Sequence, residues 1–285
     1  MALGVFRERL KLTKRYSPLG DCWLKQKNAE TRVKALFLDY DGTISPINVP
    51  VSESQVPSEV MAVLNAIRKR IPVAVITTKS LDFVVDRTPF ACAWSALGGL
   101  ETKVGDVTVK APCLKENAGH ITAALQCAKE MAEGVLAVEE KRDYEGEVVA
   151  FSVDWRFAKD LEQAEKAAVR ILSFCATLPV VTVKPEGQPF FDVFPCAINK
   201  GKALLELKQK LGVRDGVLFM GDSALDNSAF EAADISVGVV HAETAKNLAA
   251  NYFVRFDDVT DFFRCLLEND FCFCPSFPMI FSVKR

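Results

Sequence analysis

Short apolar runs that stop abruptly at a polar side chain constrain this chain more than any other feature. Ala35-Leu36-Phe37-Leu38 runs into Asp39, and Val73-Ala74-Val75-Ile76 into Thr77; Val217-Leu218-Phe219-Met220 leads through a glycine to Asp222. A four-residue apolar run without alternation fits a strand buried on both faces, and such strands belong to parallel sheets covered by helices on either side. The segments between the runs carry helical patterns. Pro57 can start one in which Val60, Val63, Leu64 and Ile67 share a face. Its last turn holds Arg68, Lys69 and Arg70, the sign that the C-terminal end of a helix dipole favours. KGKALLELKQKLG reads as another helix, closed by Gly212, and a further β and α alternation runs through ISVGVV and HAETAKNLAA. The expected fold is α/β, with a Rossmann-like parallel-sheet core.

The middle of the chain breaks this rhythm. Residues 114–133 read as a helix, and 135–141 and 147–155 as strands around the turn at Asp143-Tyr144-Glu145-Gly146. A helix over 160–177 and strands near 179–185 and 189–194 follow. This α-β-β order, repeated, suits a small sheet with helices on one face. We therefore expect an inserted α+β domain over 112–192, splitting a core made of 34–111 and 193–268. An N-terminal extension covers 1–33 and an apolar tail, ending FCFCPSFPMIFSVKR, covers 269–285. Such a tail is not expected to stand free in water: docking back on its own core is the expectation, and a dimer interface the other reading.

Composition narrows the class. Of 285 residues 49% are apolar and 25% charged, the profile of a soluble globular protein. A net charge of −2 gives no general electrostatic case for nucleic acid or an anionic membrane. No apolar run approaches the roughly 20 residues of a membrane span. The basic start, MALGVFRERLKLTKR, lacks the apolar stretch of a secretory signal, so an amphipathic helix and a cytoplasmic location are expected. The nine cysteines show no zinc-site spacing. Cys92, Cys127, Cys175 and Cys196 are expected as small core residues, and Cys272 and Cys274 in plain apolar packing.

The chemistry gathers at the strand ends, where ligands bind in open parallel sheets. Asp39 and Asp41, two apart on an extended chain, point to one side. Like charges that close are held together only when a proton, a cation or a substrate offsets their repulsion. Thr77, Asp222, Asp226 and Lys200, the last at a helix start, join them. Four carboxylates with one lysine and one hydroxyl suit a divalent cation and a phosphate group, and Mg²⁺ favours a few carboxylate oxygens plus substrate phosphate.

These motifs, FLDYDGT, a strand ending in Thr77, NKGKAL and GDSALDN, resemble the four motifs of the haloacid dehalogenase superfamily of phosphatases. The insertion resembles the cap of the branch that includes trehalose-6-phosphate phosphatases. VEEK (138–141), VDWR (153–156), GGLE (98–101) and FDVFPCAINKG (191–201) are similar to that branch's stretches. The resemblance implies Asp39 as nucleophile, forming an aspartyl-phosphate, and Asp41 as general acid and then base. It implies that Thr77 binds the phosphoryl group and Lys200 balances its charge. Asp39, Asp41, Asp222 and Asp226 would form the Mg²⁺ site, with Asp226 orienting Lys200 or a metal-bound water. Gly42, Thr78, Glu139, Lys141, Arg156 and Asp192 would contact the substrate, a small-molecule sugar phosphate; a surface ion-pair cluster is the other reading of Glu139, Lys141 and Arg156. The resemblance also raises a sugar-phosphate synthase as a partner, and the oligomeric state is left open.

The departures lie around recognition. Thr77-Thr78-Lys79 stands where the branch has Ser-Gly-Arg, Asp192 where it has a Glu, and Phe194 where it has an Arg; Gly99 and Asp154 replace histidines, and Ser223 an aspartate. Trading Arg for Lys gives up a planar fork for a point charge. The expected activity is Mg²⁺-dependent hydrolysis of trehalose 6-phosphate. Sucrose 6-phosphate, a glycosyl-3-phosphoglycerate, a sugar phosphomutase and a non-catalytic sugar-phosphate binder are the alternatives.

Overall fold

The computed structural model describes residues 31–47, 49–132, 134–185, 187–241 and 247–282. The N-terminal segment expected as an amphipathic helix lies outside these residues, as do residues 242–246 of the helix expected over HAETAKNLAA; residues 247–250 are a turn and irregular chain. No helix among the described residues is long and apolar enough to cross a membrane.

The chain enters through β1 (Thr31–Arg32) and β2 (Ala35–Leu38), then alternates α1 (Ser58–Ile67), β3 (Val73–Ile76), α2 (Leu81–Arg87) and β4 (Ala93–Ala96). A hairpin follows, β5 (Glu101–Val104) and β6 (Val107–Lys110). The inserted segment holds α3 (Cys113–Glu116), α4 (Ala118–Ala132), β7 (Ala137–Arg142), β8 (Val148–Asp154), α5 (Leu161–Cys175), β9 (Val181–Val183) and β10 (Phe190–Phe194). The second half of the core runs α6 (Lys200–Lys210), β11 (Val217–Gly221), α7 (Asn227–Ala232), β12 (Ile235–Val240), β13 (Tyr252–Arg255) and α8 (Val259–Glu268), before the short β14 (Cys272–Phe273).

The main sheet has the order β13-β12-β11-β2-β3-β4-β5-β6, parallel from β13 to β4. Alternation along each strand decides which layer it feeds. Leu36, Leu38, Val73 and Val75 pack with α1 and α8, whereas Ala35, Phe37, Ala74 and Ile76 pack with α6 and α7. Both faces are thus sealed, which is why the runs are apolar throughout. The strand order reverses between β2 and β11, so a crevice opens beyond their carboxyl ends. Asp39 and Asp222 are the residues that leave those two strands.

The β5–β6 hairpin is an antiparallel addition that the parallel pattern does not foresee. Its cue is local: Glu-Thr-Lys-Val and Val-Thr-Val-Lys flank Gly105-Asp106, and Gly105 takes a positive φ of 56°. The inserted segment forms a second sheet, β7-β8-β10-β9, all antiparallel. Phe151, Val153, Phe191 and Val193 turn to α4 and α5 on one face. The other face is free of those helices and carries polar side chains. The tail returns to the core as expected: β14 pairs with β1, Phe273 and Phe277 join the Phe262 ring, and Phe281 pairs with Phe253 at the sheet edge.

The cysteines differ from the sequence reading in three places. Cys92 is exposed, because it faces away from its buried neighbours Ala91 and Ala93, and Cys127 is only half-buried. Cys196 is bonded to Cys113, with their Cα atoms 6.3 Å apart. The two segments that carry them are the chain's two crossings between the sheets, and they run together, Asn117 Nδ2 donating to the Pro195 carbonyl at 2.7 Å. A pair separated by 83 residues has no local signature in the sequence. Cys175 is buried, and Cys272 and Cys274 are free thiols.

Closing a loop of this length removes unfolded-chain entropy worth about 4 to 5 kcal/mol. Peptide mapping without reductant should recover Cys113 and Cys196 in one linked fragment, and Cys113→Ser should lower the unfolding midpoint in denaturant. Unlinked peptides, or an unchanged midpoint, would refute the crosslink or its energetic weight.

Candidate active site

Asp39 continues the β2 ladder for one more residue, its N–H donating to the Met220 carbonyl at 2.8 Å. That bond sets Asp39 beside the end of β11. Lys200 enters from α6, whose first turn is capped by Asn199 Oδ1 accepting from the Lys202 amide at 2.8 Å. Lys200 Nζ donates to Asp39 Oδ1 at 2.7 Å and to Asp226 Oδ1 at 2.6 Å. All three are buried. The second Asp226 oxygen accepts from the amides of Asp222 and Ser223 and from the Ser223 hydroxyl, at 3.0–3.1 Å. Asp226 therefore spends its acceptors on the lysine and on the turn that aims Asp222.

The carboxyl oxygens of Asp39, Asp222 and Asp226 come within 4.8 Å of one another. Burial pushes the Asp39 carboxyl up to about 7, against the opposing pull of Lys200, with Asp226 and Asp41 adding repulsion. Burial, then Asp39 and Asp226, also raises Asp222 well above the ordinary carboxylate value. Burial alone would lower Lys200, but Asp226 and Asp39 outweigh it and push its pKa up. One lysine thus faces an excess of carboxylates, and a divalent cation fits that donor set. Gly42 confirms how tight the pocket is: it has φ 74°, and a Cβ there would overlap the Asp222 carboxylate and the Ile47 side chain.

Asp41 lies two residues beyond Asp39, its side chain 38% exposed. Ser54 Oγ donates to its Oδ1 at 3.1 Å, and Lys79 Nζ stands 3.9 Å from its Oδ2. Thr77 follows β3 directly and is almost wholly buried, its Oγ1 accepting from the Lys79 amide at 3.1 Å. His241, at the end of β12, donates from Nε2 to the Gly42 carbonyl at 2.7 Å and stands 3.8 Å from Asp222. Burial lowers its pKa. Lys79 entered the sequence reading only as a departure from the branch's pattern, and His241 and Ser54 were not singled out there. His241 and Lys79 follow strand ends, so the same rule that finds Asp39 could have found them; Ser54 has no such signal.

The polar face of the small sheet closes over this floor. Glu139, Ser152 and Asp192 stand side by side on β7, β8 and β10. Lys141, two residues from Glu139, donates to Asp192 Oδ1 at 2.7 Å and to the Thr78 carbonyl at 3.2 Å. Ser152 also donates to Asp192. Lys79 stands 3.9 Å from Glu139, so it lies between the two sheets. On the hairpin side, Lys110 donates to Asp143 at 2.7 Å and the Tyr144 amide to Glu101 at 2.9 Å. Arg156 behaves differently: it grips Asp154 through two nitrogens at 2.6–3.1 Å and lies over the Phe157 and Phe190 rings.

Residues 118–260, half of the chain, match the haloacid dehalogenase-like hydrolase family. The chain belongs to the haloacid dehalogenase-like hydrolases. It is 31% identical over 221 residues to an uncharacterized glycosyl hydrolase of Mycobacterium tuberculosis, covering 73% of this chain but only 16% of that protein's length. It is 23% identical to probable trehalose-phosphate phosphatase 3 of Oryza sativa, over 88% of this chain and 74% of the relative. In fold it is similar to the C-terminal domain of the Candida albicans trehalose-6-phosphate phosphatase, with TM-score 0.68, 17% identity and coverage of 84% and 93%. A trehalose-6-phosphate phosphatase related protein gives TM-score 0.67 at 19% identity, with coverage of 82% and 97%.

The charge balance carries a pH consequence. Asp39 has an ordinary value of 3.8 and a folded value of about 7, so the folded protein retains a proton that the unfolded chain has released between them. Stability in chelator should therefore fall as pH rises from about 4 to about 7. Mg²⁺ should reverse the fall, adding about 2.7 kcal/mol at a hundredfold excess over its Kd. Asp222→Asn should lose that Mg²⁺-dependent gain in thermal melts; a gain equal to the parent's would remove Asp222 from the cation site.

Proposed function

We propose that this hydrolase is a Mg²⁺-dependent phosphatase of a sugar phosphate, with trehalose 6-phosphate as its substrate. The observation that carries the reading is Asp39 gripped by Lys200 on one oxygen, with Asp41 two residues away beneath a polar sheet face. Lys200 holds Oδ1, so the other Asp39 oxygen attacks phosphorus. The bond from phosphorus to the sugar oxygen breaks as Asp41 delivers a proton to that oxygen, a poor leaving group without one. Asp41, now a carboxylate, takes a proton from water; the water oxygen attacks the aspartyl-phosphate, freeing phosphate and Asp39. Thr77 and Lys200 bind the phosphoryl oxygens, and Asp226 keeps Lys200 aimed. Asp39, Asp222 and the Asp41 main chain would hold Mg²⁺, which supplies positive charge to the transferring group.

The small sheet supports a neutral polyol as the leaving group. Lys79, Lys141 and Arg156 each already face a carboxylate, namely Asp41 with Glu139, Asp192, and Asp154. A second anionic group on the substrate would have to break one of these pairs, whereas sugar hydroxyls can share their donors and acceptors. This favours trehalose or sucrose 6-phosphate over a glycosyl-3-phosphoglycerate, which carries a carboxylate.

Phosphate release should be measured on that panel with Mg²⁺ and with chelator. Release dominated by trehalose 6-phosphate and lost in chelator is expected, and Asp39→Asn should reduce it to background in a folded protein. Dominance of another sugar phosphate would discard the substrate and keep the mechanism. Binding or isomerisation without free phosphate would overturn the phosphatase.

A further inference from the structure

Asp41 is more than a third exposed, and a side chain in water has rotamers to explore. Delivering a proton and then removing one from water requires the same oxygen at the same place twice. The loop between β2 and α1 contains what fixes it. Ser54, 3% exposed, donates from Oγ to Asp41 Oδ1 at 3.1 Å. Its own oxygen lies 2.9 Å from Ser45 Oγ, and its carbonyl accepts from the buried Tyr40 hydroxyl at 2.8 Å. Ser45 is tied to the same turn, its carbonyl accepting from the Gly42 amide at 2.8 Å.

The directions of these bonds follow from the acceptor. A carboxylate cannot donate, so the Ser54 hydrogen points to Asp41 and the Ser45 hydrogen to Ser54. Tyr40 pins the Ser54 backbone from between the two aspartates. Asp41 Oδ1 is thereby engaged, and Oδ2, on the Lys79 side, is left to carry the mobile proton. In the protonated acid Oδ1 can still accept from Ser54, so the arrangement holds in both halves of the reaction.

We propose that Ser54 is a positioning residue, backed by Ser45 and Tyr40, that fixes Asp41 for proton transfer through Oδ2. This deepens the phosphatase reading and rests on it. Its signature is dependence on the leaving group: an alkoxide needs the proton, whereas a nitrophenolate leaves without it.

The test compares phosphate release from trehalose 6-phosphate and p-nitrophenyl phosphate in Mg²⁺. Ser54→Ala should lower kcat/KM for the sugar phosphate, which reports the transfer to Asp39, about tenfold to a hundredfold, with kcat/KM for the aryl phosphate affected less than about threefold. Ser54→Thr, which restores the hydroxyl, should recover the loss. Equal losses of kcat/KM on both substrates, or none on either, would overturn the role of Ser54 while the phosphatase stands. A parent protein inactive on both would overturn the two readings together. If Ser54→Ala does not fold, Ser45→Ala should show the same selectivity at smaller size, and its absence would refute the relay.

Discussion

Burying Lys200 between Asp39 and Asp226 removes three charges from water, each at a cost of several kcal/mol. The chain recovers that cost only by bringing the end of β2, the start of α6 and the turn before α7 within hydrogen-bond reach. Much of the core can be read as the means of doing so. Parallel pairing of β2 with β11 fixes the height of Asp39 relative to Asp222. Gly201 lets α6 lie against α7 so closely that a Cβ would overlap the Ser228 carbonyl, and this carries the lysine to Asp226. Loss of Lys200 would leave two buried carboxylates uncompensated, which typically costs about 3–5 kcal/mol.

The same triad explains why a further cation fits the site. Lys200 makes two close ion pairs, yet Asp39 and Asp222 remain raised because burial and their neighbours outweigh one ammonium. A fold that wanted only stability would replace such a cluster with apolar residues of similar volume. Retaining an excess of carboxylate at a topological switch point is therefore a mark of chemistry, in keeping with membership of a hydrolase family.

How much of this was legible in the sequence depended on range. Strands buried on both faces announce themselves as apolar runs, and their ends placed Asp39, Thr77 and Asp222 without any contact information. The α-β-β pattern of the insertion was readable for the same reason: Phe151 and Val153 alternate with Ser152 as a half-covered strand must. Contacts between distant segments were not. Cys113 with Cys196 and Ser54 with Asp41 are made by the fold, and each partner looks ordinary in its own neighbourhood. The β5–β6 hairpin was missed differently, since its alternating polar strands were overshadowed by the parallel pattern around them.

The two sheets divide the work by the strength of what holds each in place. Asp39, Lys200 and Asp226 stand on elements of one continuous core, where a displacement would tear apolar packing. Glu139, Lys141 and Asp192 ride on a sheet joined to that core through two crossings fastened by Cys113 and Cys196. The seam is mixed: Val149, Ala150 and Phe194 continue the main apolar cluster, while Lys141–Thr78, Lys110–Asp143 and Tyr144–Glu101 are polar. Polar contacts exchange readily with water, at a net of about 0.5–1.5 kcal/mol each. Lys141 keeps Asp192 as its partner whether or not it reaches Thr78, because both belong to the small sheet. Separation at the seam would leave the Lys141–Asp192 pair intact within the small sheet, whereas motion within the floor would break the Lys200 pairs.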